Sequence, residues 1–302
     1  MSMYDKRNHV WTFGAEHELA DIPRTLSLPA GFSWDTHDIT IVNSNGIANE
    51  PKGKGYPFGG EINTPPTETP AGQVAHLKTI KKLFPMAKVN YRSNLHVHVR
   101  VPGLRDDLKK LKLVQSYIHQ TMRKVLAQIE PIPVPLGLEY SDQADLDGAK
   151  RRYRRRKVSH HTLLPPARLE HQLAARTLDQ FYEREVPASK AGKPLWACQP
   201  RLCVNLRHLR AETETVEFRH FPGTLDENEL LACVTWCERY LRYALDAKPI
   251  EELLKQFKRH LFPSFPPYNH QQEHRYRLTV HDGTVSKEQI AKNIQLILAG
   301  KL

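Results

Sequence analysis

Acids, imidazoles and guanidinium groups recur at every second position in four short stretches, the spacing at which an extended strand turns side chains to one face. In TVEFRHFPGTLDE, Glu217 and Arg219 share one side while Val216 and Phe218 take the other. In HVWTFGAEHELAD, Glu16 and Glu18 fall with Gly14, opposite Phe13, Ala15, His17 and Leu19. In VNYRSNLHVHVRVP, Asn94, His96, His98 and Arg100 alternate with Leu95, Val97, Val99 and Val101. In RLCVNLRHL, Cys203, Asn205 and Arg207 oppose Leu202, Val204 and Leu206. A further acid, Glu61, follows Gly59 and Gly60 and precedes Thr64, Pro65 and Pro66, so glycines allow a close backbone approach and prolines stop the strand.

Two carboxylates two strand positions apart sit about 6.5 Å from each other and repel. They are tolerated facing water, with one of them protonated, or with a cation between them. Oxygen ligands in pairs suit magnesium, which keeps water and substrate phosphates as its other ligands. A row of two imidazoles and a guanidinium suits phosphate or metal. Taken singly, each stretch is equally what a cross-strand ion pair on a solvated face looks like. The recurrence of one design on four strands favours a common surface.

The elements that must position these groups follow from punctuation and periodicity. Residues 31–60, with the apolar run Ile39, Ile41 and Val42, read as a hairpin and a long loop. Pro70, with Val74, Leu77, Ile80 and Phe84, marks a helix stopping before Pro85. A long helix starts at Asp106 and Asp107, carries Leu108, Leu111, Gln115, Ile118, Met122, Val125 and Ile129, and ends before Pro131. A short helix begins near Thr177 to Asp179 and ends before Pro187. The strand over RLCVNLRHL pairs through an AETE turn with TVEFRHF, and Thr224 with Glu227 has capping-box spacing for a helix reaching Leu245. Its stripe is Leu230, Val234, Cys237 and Leu241. Helices are also expected at Pro249 to His260 and Ser286 to Leu298, with an irregular Pro- and His-rich stretch between them. The fold class is α+β: a mainly antiparallel curved sheet, one face oily and backed by helices, the other polar.

With 302 residues, 40% hydrophobic and 25% charged, the chain can bury a substantial core. No apolar run spans a bilayer, and MSMYDKRNHVW lacks the apolar core of a secretory signal, so the expectation is a cytoplasmic protein with no membrane partner. Cys198, Cys203, Cys233 and Cys237 form neither a CxxC pair nor a disulfide framework. A four-thiolate zinc site competes there with buried helix thiols, and no HExxH helix supports zinc at the histidines. The net charge of +11 favours polyanionic partners. It is concentrated at Lys150 to Lys157, KRRYRRRK, where seven of eight residues are cationic and cannot share a core. That run is a solvated loop, a polyanion site, or a cover over a nucleotide's phosphates.

Combined on one sheet, Glu16, Glu18, Glu61, His96, His98, Asn205, Glu217 and Arg219 make a cluster of acids ringed by bases. Unpartnered, such acids cost several kcal/mol, and bound cations are the physical remedy. In chain order, GAEHE at Gly14 to Glu18, EINTPP at Glu61 to Pro66, HVHV at His96 to Val99, VNL at Val204 to Leu206 and VEFRHFPGTLD at Val216 to Asp226 resemble the amidoligases. These are relatives of glutamine synthetase and glutamate-cysteine ligase in the carboxylate-amine ligase superfamily. The resemblance runs in outline from Val10 to Leu245. One departure is Asn94, two residues before the first motif histidine, where relatives often have glycine.

The resemblance implies a glutamine synthetase-like partial barrel, placed over residues 1–245; beside it, 131–200 is expected to be a basic insertion or lid, and 246–302 a helical C-terminal extension packed on the same domain. It implies ATP with two or more Mg2+ ions, Mn2+ being an acceptable substitute. Glu16, Glu18, Glu61, Glu217 and His98 would be metal ligands. His96, Asn205, Arg100 and Arg207 would bind the nucleotide or substrate, and Arg219, with Glu217 and His98, would serve the transferred phosphoryl group. The implied reaction phosphorylates a carboxylate, after which an amine attacks the acyl phosphate to form an amide. Its substrates would be a small-molecule or peptide carboxylate and an amine, with a nucleic-acid-linked acceptor reached through Lys150 to Lys157 as a further option. The same residues also suit a metal-dependent phosphoesterase or nuclease, or a non-catalytic nucleic-acid-binding protein. Oligomeric state is not legible in the sequence.

Overall fold

Apolar residues at every second position build the sheet, and residues at helical spacing cover it. The structure, a computed structural model, describes residues 10–22, 27–35, 41, 58–89, 93–129, 169–185 and 203–249. In chain order its strands are β1 (Thr12–Ile22), β2 (Ser33–Asp35), β3 (Phe58–Asn63), β4 (Asn94–Arg100), β5 (Val204–Asn205) and β6 (Thr215–Pro222). Its helices are α1 (Pro70–Leu83), α2 (Leu108–Ile129), α3 (Leu169–Leu173), α4 (Leu178–Glu185) and α5 (Glu227–Leu245). The strands form one open sheet in the order β2-β3-β1-β4-β6-β5, every neighbouring pair antiparallel. Among the described residues it does not close into a barrel. No described helix is long and apolar enough to cross a membrane.

The oily face carries Phe13, Ala15, Leu95, Val97, Val99, Val216, Phe218 and Phe221, fully buried against Leu111, Val114, Tyr117 and Ile118 of α2 and Leu230, Val234, Cys237 and Leu241 of α5. A second cluster, Leu19, Ile22, Ile62, Ile80 and Phe84, lies under α1. Cys203, Cys233 and Cys237 are buried thiols in the main core, with burial pushing Cys203 up to about 12.

Two local devices keep the polar face in register. Between β4 and β6, Val97 faces Phe218 but Leu95 faces Phe221, so Arg219 and His220 together stand opposite His96. That extra residue returns Phe221 to the oily side after Arg219 has pointed to the other. Past Glu61, the Thr64 hydroxyl accepts from Ala15 N–H at 2.9 Å and donates to Gln73 Oε1 at 2.6 Å, while Gln73 Nε2 donates to Phe13 O at 2.6 Å. The EINTPP stretch is thereby pinned to β1 and α1. Gly59 is needed for close approach, since a Cβ there would lie 2.6 Å from Ile41 Cγ2.

Four expectations are corrected. Only Val204 and Asn205 of RLCVNLRHL are strand; Arg207–Arg210 is a 3-10 turn. Asn205 Oδ1 accepts the Arg207 N–H at 3.0 Å, a local bond that competes with continuing the ladder. Cys203 accordingly sits in the core and not on the polar face. Asp106 ends a 3-10 turn, and α2 starts after Asp107, whose Oδ1 accepts the Lys110 N–H at 3.0 Å. The cap of α5 is Asp226, not Thr224: Asp226 Oδ1 accepts from Asn228 and Glu229 N–H at 2.9 and 3.0 Å. Thr224 donates to the Glu229 carboxylate at 2.7 Å instead. The strand after Gly31 is Ser33–Asp35. Of the Ile39 to Val42 run only Ile41 is described, and it is buried. The basic run Lys150 to Lys157, most of the 131–200 insertion, Cys198 and the helices expected beyond Pro249 lie outside the described residues.

Candidate metal centre

Sheet register brings the sequence-predicted acids and histidines into one band. Glu61 on β3 stands opposite Glu18 on β1, Glu16 opposite His96 on β4, and His98 opposite Glu217 on β6, which in turn faces Asn205 on β5. Because neighbours across antiparallel strands share a face, all seven project from the side away from the helices.

Glu16 lies at the centre. Its Oε2 is 2.8 Å from His96 Nδ1 and its Oε1 is 2.8 Å from His98 Nε2. Two trios share it: Glu16, His98 and Glu217, and Glu16, Glu61 and His96, each offering ligand atoms within 4.8 Å of one another. Glu18 is outside both trios. Its Oε2 accepts from the backbone N–H and the side-chain Nδ2 of Asn94, each at 2.8 Å, and its Oε1 is 3.4 Å from His96 Nε2. Asn94, the departure from the amidoligase pattern, is thus what holds Glu18.

Glu217 is almost fully buried and densely held. Arg219 Nη1 donates to its Oε1. Its Oε2 accepts from Asn205 Nδ2 at 3.0 Å and lies 3.1 Å from His208 Nε2. The Asn205 orientation is settled by its Oδ1, which is taken by Arg207 N–H.

The electrostatics of the band are those of acids and bases packed away from water. Burial alone would raise the Glu16 carboxyl, yet the charge of His98 and hydrogen bonds from His96 and His98 outweigh it and hold the group well below the usual range. Burial acts likewise on Glu217, which His208, Arg219, His96 and His98 pull down to about 2. His96 and His98 resist burial and are raised, chiefly by Glu16. Glu61 is the exception. Burial and the neighbouring Glu16 push it up to about 8, and the hydrogen bond it receives is a long one, 3.4 Å from Asn63 Nδ2.

These residues fit divalent cations. In the trio of Glu16, Glu61 and His96, burial first and then the Glu16 charge raise the Glu61 carboxyl, a cost that a cation bound there would relieve. Carboxylate oxygens suit Mg2+ or Mn2+, and an imidazole in each trio suits a transition ion at least as well as magnesium.

Arg100 is engaged by an acid that belongs to neither trio. Arg100 closes on Glu214 with Nε at 3.2 Å and Nη2 at 2.9 Å, and Arg105 Nη1 joins the same carboxylate at 2.6 Å. Glu214 is itself held at φ 50°, in the left-handed region. Arg207 reaches the band through its backbone amide. Two groups that sequence reasoning did not single out are present. Thr215 Oγ1 is 3.1 Å from His98 Nδ1, and the His208 ring meets His98 edge to face with centroids 5.4 Å apart. Strand alternation puts His208 with Leu202, Val204 and Leu206 on the oily side; only the 3-10 turn after Leu206 brings it round to Glu217.

The sequence matches no family model and no curated protein. Among solved structures the chain is similar to a bifunctional glutathione synthetase from Pasteurella multocida, at 11% identity and a TM-score of 0.42. That alignment covers 96% of this chain and 47% of the other.

Proposed function

We propose that this chain is an ATP-dependent carboxylate-amine ligase of the amidoligase type. What supports the reading is that five motifs in amidoligase order supply the acids and histidines of one sheet face, and that two cation-sized trios there share Glu16. Glu16, Glu61 and Glu217 would hold the divalent cations with His96 and His98, and Glu18 would complete the acidic band. Bound there, the cations would neutralise charge on the triphosphate and on the phosphoryl group in flight.

The chain's own residues then have distinct tasks. Arg219, half-buried and already aimed along this face by the β6 bulge, would steady the transferred phosphoryl group on its way to the acceptor carboxylate. His96 and His98 orient Glu16 from both of its oxygens. Asn205 fixes Glu217 and, at the edge formed by β5, would seat nucleotide or substrate. Once the acyl phosphate forms, an amine displaces phosphate, and positioning and exclusion of water carry the step without a nucleophilic side chain.

The test is ADP release by the full chain with Mg2+, screened against amino acids, peptides and polyamines, with and without DNA. ADP should form only when carboxylate and amine are both present, and should vanish in Glu16→Gln. Cleavage of a phosphodiester without ATP would instead assign the two trios to a metal-dependent phosphoesterase.

A further inference from the structure

Glu217 poses a problem of lone pairs. A carboxylate oxygen has two acceptor sites. On Oε2 both are taken, by Asn205 Nδ2 at 3.0 Å and His208 Nε2 at 3.1 Å. On Oε1 the Arg219 guanidinium is bound. For Oε2 to ligate a cation directly, Asn205 or His208 must leave, whereas a cation on Oε1 would share that oxygen with Arg219.

Burial separates the three. Asn205 is fixed at both ends of its amide and only 4% exposed. The Arg219 side chain is 25% exposed and also answers to the charges of Glu16 and Glu18. The His208 side chain is 39% exposed. It projects from the Arg207–Arg210 turn, which stays anchored without it: Leu209 is fully buried, and its N–H donates to Leu206 O at 3.0 Å. Rotating the imidazole into solvent therefore needs no backbone movement and opens no cavity in the core.

We propose that His208 is a displaceable placeholder for a divalent cation: its imidazole occupies Oε2 of Glu217, the oxygen through which Glu217 would complete the trio with Glu16 and His98, and cation binding exchanges one for the other. The exchange is a substitution of ligands on one oxygen, so no proton or electron need be supplied. It sets an order of events. The trio of Glu16, Glu61 and His96 meets on Glu61, among the described residues, only the long 3.4 Å bond from Asn63 and fills first; the trio with Glu217 fills second and weaker, and its filling releases an imidazole at the rim of the face. This rests on the cation sites of the proposed function but not on the reaction.

The experiment is a Mn2+ titration of the full chain without nucleotide, read by the electron paramagnetic resonance of free Mn2+. Wild type should show two classes of site. His208→Ala should tighten the weaker class by about tenfold, the order expected for removing one hydrogen bond to a carboxylate. His208→Gln, which keeps an N–H donor of similar reach, should return the affinity toward wild type, and Glu217→Gln should lose the weaker class. A merely structural His208 would weaken binding or leave it unchanged. Equal or weaker Mn2+ binding in His208→Ala overturns the proposal, as does tightening in Arg219→Ala alone, or no Mn2+ binding in any variant. Failure of the ligase reading has a different signature: two Mn2+ classes that respond as described, with no ADP formed from any acceptor pair.

Discussion

The two faces of the sheet bury the same residue type to opposite ends. His96 and His98, on the polar side, are raised because carboxylates surround them, Glu16 above all. His17 and His220, on the oily side, are driven down to about 4. For His17 the cause is burial with the His76 charge nearby; for His220 it is burial. A strand one residue thick in register thus separates a surface held together by compensating charges from one held together by excluding them. The polar face is the costlier to build, since every buried ion on it needs a partner. The oily face tolerates its histidines only as neutral rings.

The largest test of this contrast is Glu217→Gln. It removes a charge that Arg219, Asn205 and His208 converge on while leaving the side chain's shape, so ADP formation should fall by at least about 10³-fold. One of its three donors would then face an amide NH2 that cannot accept, so the melting temperature should fall as well, and turnover is compared per folded molecule. An enzyme that still turned over would make the polar face a structural salt-bridge surface. One position further along the same strand, Phe218→Ala should do the reverse. Phe218 is fully buried, edge-on to Trp236 and Tyr240, and its truncation should cost about 3–5 kcal/mol in denaturant unfolding. The deficit should appear as unfolded protein and not as a specific loss of turnover in the folded fraction.

Period-two alternation made much of this division legible in the sequence. It set Glu16 and Glu18 against Phe13 and Ala15, and His96 and His98 against Val97 and Val99, because one-sided burial fixes strand register. Order along the chain identified only the antiparallel β5–β6 pair, so the pairing of Glu61 with Glu18 and the central place of Glu16 emerge only in three dimensions. What alternation misread has one cause: places where the period breaks. The bulge at Arg219 and His220, and the turn that Asn205 starts by bonding Arg207 N–H, both shift parity. His208 lies just past such a break, and so went unnoticed. Arg100 shows the other limit, since its alternation was read correctly while its partner, Glu214, sits in a loop with no pattern.

His220 sharpens the comparison from the oily side. Its Nδ1 donates to Cys203 O at 3.1 Å, and its ring packs on Phe218, Phe221 and Trp236. With a pKa of 6.5 unfolded and about 4 folded, the unfolded chain binds the extra proton between those values. Stability from this group is therefore complete above about pH 6.5 and declines as pH falls toward 4, by about 3 kcal/mol in all. His220→Phe should flatten that part of the acid limb in pH-dependent urea unfolding. Cys203 O keeps the Arg219 N–H at 2.8 Å, so no carbonyl is orphaned. An unchanged acid limb would mean the ring is charged in the fold, and that the two faces do not differ as described.

The smallest effect belongs to the polar face and to cation alone. Glu16, Glu61 and Glu217 are brought together by folding and dispersed by unfolding, so a divalent cation should bind the folded chain in preference. At about ten times its dissociation constant, Mg2+ or Mn2+ should add about 1.4 kcal/mol of stability, a rise of a few degrees in melting temperature that EDTA reverses. Glu16→Gln should abolish most of that gain, because Glu16 is common to both trios, whereas His220→Phe should leave it intact. Equal stabilisation of all three proteins would place the cation somewhere other than this sheet face. A gain that survives Glu61→Gln but not Glu217→Gln would narrow it to the trio on the β6 side. The divalent ion is thus a probe that only one side of the sheet can answer.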